Sequence, residues 1–424
     1  MNNQSESANL VKKYQPLALA AGFGSILGSG IIVGMSATIT VWQIGLHLSN
    51  GQVGVISGAL TFAIAIGSLL AGWVTKTFGL TRSFNWMNFI YAIGALICVC
   101  AQNYPTLLIG AIVTGMASGL DLPISLTMLS HDAPDDETAS KLVASTQIFW
   151  QVGVFASYGA AFIVSKMAGA SGARVVFACL AIFALFIWAW RTFSSKFKAF
   201  HEEGEKRRIA KESKYGQTTK VSVKSVLFGK HKKMYLQMFA CIIVFYCCWN
   251  ILANTFGQFQ TFMLVQAHAS QTFATGAGLV LNFISLFAAM AFAKAAGSSY
   301  RNKFFVVGMI IQFLGMFSLV VLSHDLWPIV IAIGITSIGS NIAGEAIYKV
   351  WTQEAFPVEV RSSIQGFIGG FSRFLCGVFA FVTPALAVQS VIKKTMLGFS
   401  IMILVAFAFG IAMTRLEKKY HIGQ

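Results

Sequence analysis

Residues 52–74 read QVGVISGALTFAIAIGSLLAGWV, an unbroken run with no charge and no proline. A helix rises about 1.5 Å per residue, so a run of this length crosses the roughly 30 Å hydrocarbon layer of a bilayer. The run is too long for a barrel strand and lacks the alternation such a strand shows. Similar runs recur near 17–43, 84–101, 106–130, 142–164 and 174–190. A second set follows near 235–262, 275–293, 303–322, 327–351, 363–388 and 395–414. The reading is an all-α membrane protein with 12 transmembrane helices: six, a long polar break, then six.

Composition agrees. The 424 residues are 56% hydrophobic and 11% charged, against about 25% charged in a soluble domain, which excludes a soluble enzyme and a disordered chain. The net charge of +16 does not point to nucleic acid, because the basic residues sit between membrane-length runs. The seven cysteines lie inside apolar runs without a CxxC pair, and the seven histidines fall in short loops, the central segment or the tail. Neither pattern suits a metal centre, and no cofactor is expected.

Basic residues orient the chain. With a cytoplasmic N-terminus, every Lys and Arg except Lys166, Arg174, Lys393 and Lys394 falls on the cytoplasmic side or in a span. The positive-inside rule then predicts a multi-pass cell-membrane protein with both termini in the cytoplasm. The organisation is an N-terminal bundle over 1–190, a basic cytoplasmic linker over 191–233 and a C-terminal bundle over 234–424. In the linker, Lys and Arg far outnumber Glu202, Glu203, Glu205 and Glu212, as in a solvated connector that touches anionic membrane lipids.

The halves echo each other. The fourth span ends in Asp132-Ala133-Pro134 and the tenth in Glu354-Ala355-Phe356-Pro357. Each is followed by a basic residue and by a span with an early glutamine, Gln147 or Gln365. Two six-helix, pseudo-symmetric bundles imply alternating access around a midplane site.

Polar residues inside the spans mark candidate sites, since a central charge costs about 2.5–3.5 kcal/mol on insertion scales. Asp121 lies in the fourth span, Glu345 and Lys349 in the tenth and Arg373 in the eleventh. They read either as a substrate or proton site or as internal pairs, and the four-residue spacing of Glu345 and Lys349 suits a pair. Gln147 and Gln151 share a face of the fifth span beside Trp150. Asn250, Asn254 and Gln258 form an i, i+4, i+8 row on the seventh, and Asn282 lies in the eighth. Amides offer donors and acceptors without charge, which suits neutral hydroxyls, and an aromatic face suits a sugar ring. Interhelical hydrogen bonding is the competing explanation. Gly24, Gly28, Gly30 and Gly34 on the first span, and Gly366 and Gly370 on the eleventh, read as close-approach positions.

These residues resemble the major facilitator superfamily, and the motifs resemble its sugar porter branch. Glu354-Ala-Phe356-Pro357-Val-Glu-Val-Arg361 is similar to that branch's E-x-F-P-x-x-x-R after the tenth helix. Gly119-Leu-Asp121-Leu-Pro123, Trp150-Gln151-Val-Gly153 and Gln365 through Arg373 to Pro384 resemble a bacterial inositol-transporter-like subgroup. The resemblance implies sugar contacts at Gln147, Asn254 and Asn282, a gating charge network at Glu354 and Arg361, and a monomer. Departures are equally informative. Cys248-Trp249 replaces a double glutamine, and Lys349 and Arg373 fall near tryptophans of other members. The loop of residues 72–82 lacks the family's acidic residue, and the proline-glutamate-serine motif after the sixth span is missing. Gly28 stands near the first-helix aspartate of proton-coupled members, leaving Asp121 as the substitute proton carrier with Glu345 behind it.

The reading favoured is import of a sugar or polyol, inositol-like, by proton symport, with substrate contacts at Gln147, Trp150, Gln151, Asn250, Asn254, Gln258, Asn282, Lys349 and Arg373. Uptake of an anionic sugar acid or other carboxylate is the alternative that Lys349 and Arg373 motivate. Efflux of amphipathic compounds and sensing without transport complete the set.

Overall fold

The computed structural model describes residues 2–215, 223–229, 231–295, 300–321, 326–356, 358–388 and 390–420. Among them are fifteen helices and no strand. The first six are α1 (Asn2–Gly45), α2 (Asn50–Phe78), α3 (Leu80–Val99), α4 (Tyr104–Asp132), α5 (Asp136–Ile163) and α6 (Ser171–Phe193). Two connector helices follow, α7 (Ser195–Tyr215) and α8 (Val223–Phe228). The remainder are α9 (Lys232–Gln266), α10 (Gln271–Ala295), α11 (Arg301–Val321), α12 (Leu326–Ala343), α13 (Glu345–Ala355), α14 (Val358–Leu386) and α15 (Ile392–Tyr420). Counting α12 and α13 as one span gives the twelve transmembrane helices.

Local chemistry sets the boundaries. Ser49 closes a capping box with Gln52 at the start of α2. Asn103 and Asp135 cap α4 and α5 by accepting from the Thr106 and Thr138 amides. Gly79, at φ +86, turns α2 into α3, a backbone conformation that favours glycine.

The chain divides into two compact units, Met1–Thr218 and Thr219–Gln424. In the first, α1 packs on α4, α5 and α6, α2 on α4, and α3 on α4 and α6. The second repeats the scheme: α9 packs on α12, α14 and α15, α10 on α12, and α11 on α12 and α15. Matching small-residue crossings reinforce the repeat. A Cβ at Gly94 of α3 would strike Thr114 of α4, and one at Gly315 of α11 would strike Thr336 of α12. On α1, Gly24 lies close against Asp121 and Arg191, Gly28 against Trp150 and Gly30 against Leu180, as the sequence suggests, whereas a Cβ at Gly34 would make only ordinary contact. Gly366 does not, because nothing lies within 4 Å of its Cβ position.

Two sequence expectations change. The tenth span is not one helix: Gly344 breaks it into α12 and α13, and the Trp249 ring occupies the space a side chain there would need. The connector is not uniformly solvated either. Phe197 and Phe200 of α7 are buried in the first unit's core beside Tyr14, Phe84 and Met128, so the early part of the connector is docked.

Candidate functional site

In the first unit, Pro123 lies one turn past Gly119 on α4. A proline has no amide hydrogen, so the Gly119 carbonyl loses its usual helical donor. Ser68 of α2 supplies one, its hydroxyl donating to the Gly119 oxygen at 3.0 Å. This opened turn holds Asp121, which is buried at 4% exposure. Arg191, in the last turn of α6, reaches it with Nη1 at 2.6 Å from Oδ1, while Asn88 and Ser125 donate to the same carboxylate. Arg191 also donates to the Phe84 and Ala20 carbonyls, each at 2.8 Å, and lies over the Phe84 ring. One buried ion pair thus joins α1, α3, α4 and α6. Arg191 is 1% exposed and does not belong with the solvated basic residues among which the sequence places it.

Where α4 ends, α7 is fastened by charge. Asp132, fully buried, meets His131 at 2.7 Å and His201 of α7 at close range. His131 contacts Glu205, Arg207 donates to the Asp132 carbonyl, and the Tyr14 hydroxyl donates to Glu203. Trp150 packs against Gly28, and Gln151 is half-buried on α5. Gln147 lies on α5 with its side chain outside the described residues.

The second unit gathers more of the expected site. Asn250 donates to the Ser372 hydroxyl at 2.8 Å, which brings α9 against α14. One turn earlier on α9, Tyr246 stacks on Tyr348 of α13 at 3.8 Å, and Tyr348 donates to the Gln365 carbonyl. Glu345 and Lys349 form a 2.9 Å ion pair on α13. Arg373, next to Ser372, is near enough for its charge to act on Glu345, Tyr246 and Tyr348. Farther along α9, Gln258 donates to Asn254 at 3.0 Å; Asn254 is half-buried and Gln258 buried. Asn282 of α10 donates to the Gly278 carbonyl. The structure therefore groups Asn250, Glu345, Lys349 and Arg373 around a tyrosine stack and sets Asn254 and Gln258 along the same helix. The stack was not evident from sequence, since one tyrosine in an apolar span gives no sign of a partner a hundred residues away.

Glu354 takes a fork-like pair from Arg301, at 2.7 and 3.0 Å, and Arg301 also reaches Glu417 of α15. Arg361, the expected partner of Glu354, has its side chain outside the described residues. Among the described residues no cluster of His, Cys, Asp or Glu is arranged to hold a metal ion.

Comparison with known proteins matches residues 18–381 to the Major Facilitator Superfamily. The chain is 26% identical over 372 residues, 86% of its length and 83% of the relative's, to the minor myo-inositol transporter IolF of Bacillus subtilis (strain 168). It is 21% identical over 374 residues, 87% of its length and 88% of the relative's, to a putative niacin/nicotinamide transporter, NiaP, of the same organism. Its fold resembles the crystal structure of a D-xylose-proton symporter at a TM-score of 0.77 and 15% identity, over 92% of this chain and 96% of that one. With a superfamily match across most of its length, and with the repeated six-helix packing on which such proteins are built, the chain belongs to the Major Facilitator Superfamily and is a membrane transporter, not an enzyme.

Proposed function

We propose that this chain imports a sugar or polyol by proton symport through alternating access, as a monomer in the cell membrane with both termini cytoplasmic. The observation that carries the reading is the amide row of α9. Asn250 and Asn254 are half-buried, and among the described residues the Asn250 carbonyl and the Asn254 amide nitrogen keep hydrogen-bonding capacity beyond their bonds to Ser372 and Gln258. Open donors and acceptors on an apolar helix suit hydroxyl groups, and the buried Tyr246–Tyr348 stack one turn away holds α9 against α13 beside them. The myo-inositol transporter named above, aligned over most of both chains, supports the same substrate class.

In this reading Gln147, Trp150, Gln151 and Asn282 add substrate contacts, and the Glu354–Arg301 pair acts as a gate together with Arg361. Asp121 carries the proton, with Glu345 as the second candidate. Protonating Asp121 would remove the negative partner of Arg191 and loosen the join between four helices. Asn254→Ala and Gln147→Ala test the site. Each is expected to weaken apparent substrate affinity about tenfold, the equivalent of one hydrogen bond of roughly 1.4 kcal/mol. Unaltered affinity in both variants would remove the amide row from substrate recognition.

A further inference from the structure

Arg373 lies midway along α14 on a half-buried side chain. Among the described residues Glu345 is the carboxylate on which the Arg373 charge acts, and Glu345 is already held by Lys349 at 2.9 Å. The other groups within its reach are the Tyr246 and Tyr348 rings and the Cys376 thiol, none of which carries compensating charge when neutral. Among the described residues Arg373 makes no hydrogen bond or ion pair of its own. Among the described residues the cluster thus holds two cations, Lys349 and Arg373, and one anion, Glu345, on two segments apolar enough to span a membrane. An intramembrane cation needs a partner, and guanidinium pairs with a carboxylate through two parallel hydrogen bonds. Asn250 is fixed to Ser372, the residue before Arg373, and its carbonyl keeps accepting capacity among the described residues.

We propose that Arg373 binds a carboxylate on the transported molecule, so that the substrate is a sugar acid, a polyhydroxylated monocarboxylate of the aldonate or uronate class. This rests on the sugar or polyol reading above and narrows it. Lys349 stays with Glu345, Arg373 takes the substrate carboxylate, and the loaded cluster is neutral. The amides of α9 meet the hydroxyls in the same way for an acid or its neutral analogue, so discrimination between the two falls to Arg373.

The test is equilibrium binding to the purified full-length chain with matched probes: D-glucuronate, its neutral amide and D-glucose; D-galacturonate and D-galactose; D-gluconate and D-sorbitol. At least one acid is expected to bind ten times or more tightly than its neutral counterpart. That ratio is expected to fall toward one in Arg373→Gln and to be partly kept in Arg373→Lys. Neutral probes binding as well as or better than every acid would overturn the inference and leave the sugar or polyol reading standing. A preference for acid that survives Arg373→Gln would overturn the assignment to Arg373. Binding of no acid among the probes would overturn the inference. The wild-type comparison decides the substrate class by itself should the glutamine variant fail to fold.

Discussion

The Arg191 guanidinium donates to the Asp121 carboxylate at 2.6 Å with both side chains almost fully buried, and the same guanidinium holds backbone carbonyls of α1 and α3. The pair is therefore a fastening of the first six-helix unit.

Removing one partner of a buried pair strands the other. Asp121→Asn is expected to lower unfolding stability by about 3–5 kcal/mol, because Arg191 then lies buried without its counter-charge. Asp121→Asn with Arg191→Gln should recover a substantial part of that loss. Denaturant unfolding of the first unit in detergent, followed by Trp fluorescence, checks this; a neutral effect of the single change would show that the pair does not fasten the unit.

The Ser68 hydroxyl replaces the donor that Pro123 cannot offer. Ser68→Ala is expected to cost about 1 kcal/mol by leaving the Gly119 carbonyl unsatisfied. In a Pro123→Ala background the restored amide can take that carbonyl, so the cost of Ser68→Ala should shrink. Equal costs in the two backgrounds would contradict the assignment.

Arg301 holds Glu354 through two hydrogen bonds and Glu417 through a third. Arg301→Lys keeps the charge but loses the planar fork. If the pair gates, the maximal transport rate should fall severalfold in Arg301→Lys and in Glu354→Gln while apparent substrate affinity stays within about twofold. A change confined to affinity would place Glu354 in the substrate site instead.

The sequence and the structure agree where the signal is local. The order of six and six, the extent of every span but the tenth, and the placement of the amides on α9 follow from hydropathy and helical spacing. So does the oddness of Asp121, because a charge in an apolar run is visible without knowing its partner. What was hidden depends on distant contacts. Arg191 stands 70 positions beyond Asp121 and merges, in sequence, with the basic connector that follows. Gly344 looks like any helix-packing glycine, and its non-helical backbone (φ −105, ψ −123), with the Trp249 ring lying where a side chain would go, is visible only in the structure. The docking of α7 rests on Phe197, Phe200, His201 and Arg207, whose partners belong to α1, α3 and α4. The charged residues between these positions make the whole segment look solvated.

Uptake into proteoliposomes containing the wild-type chain tests the central claim most directly. Labelled myo-inositol, hexoses, pentoses, linear polyols and their sugar-acid counterparts would each be offered with and without an inward proton gradient. The account predicts that at least one polyhydroxylated probe accumulates above its external concentration when the gradient is present and only equilibrates when it is collapsed. Uptake that ignores the gradient would contradict proton coupling, and absence of uptake for every polyhydroxylated probe would contradict the substrate assignment itself.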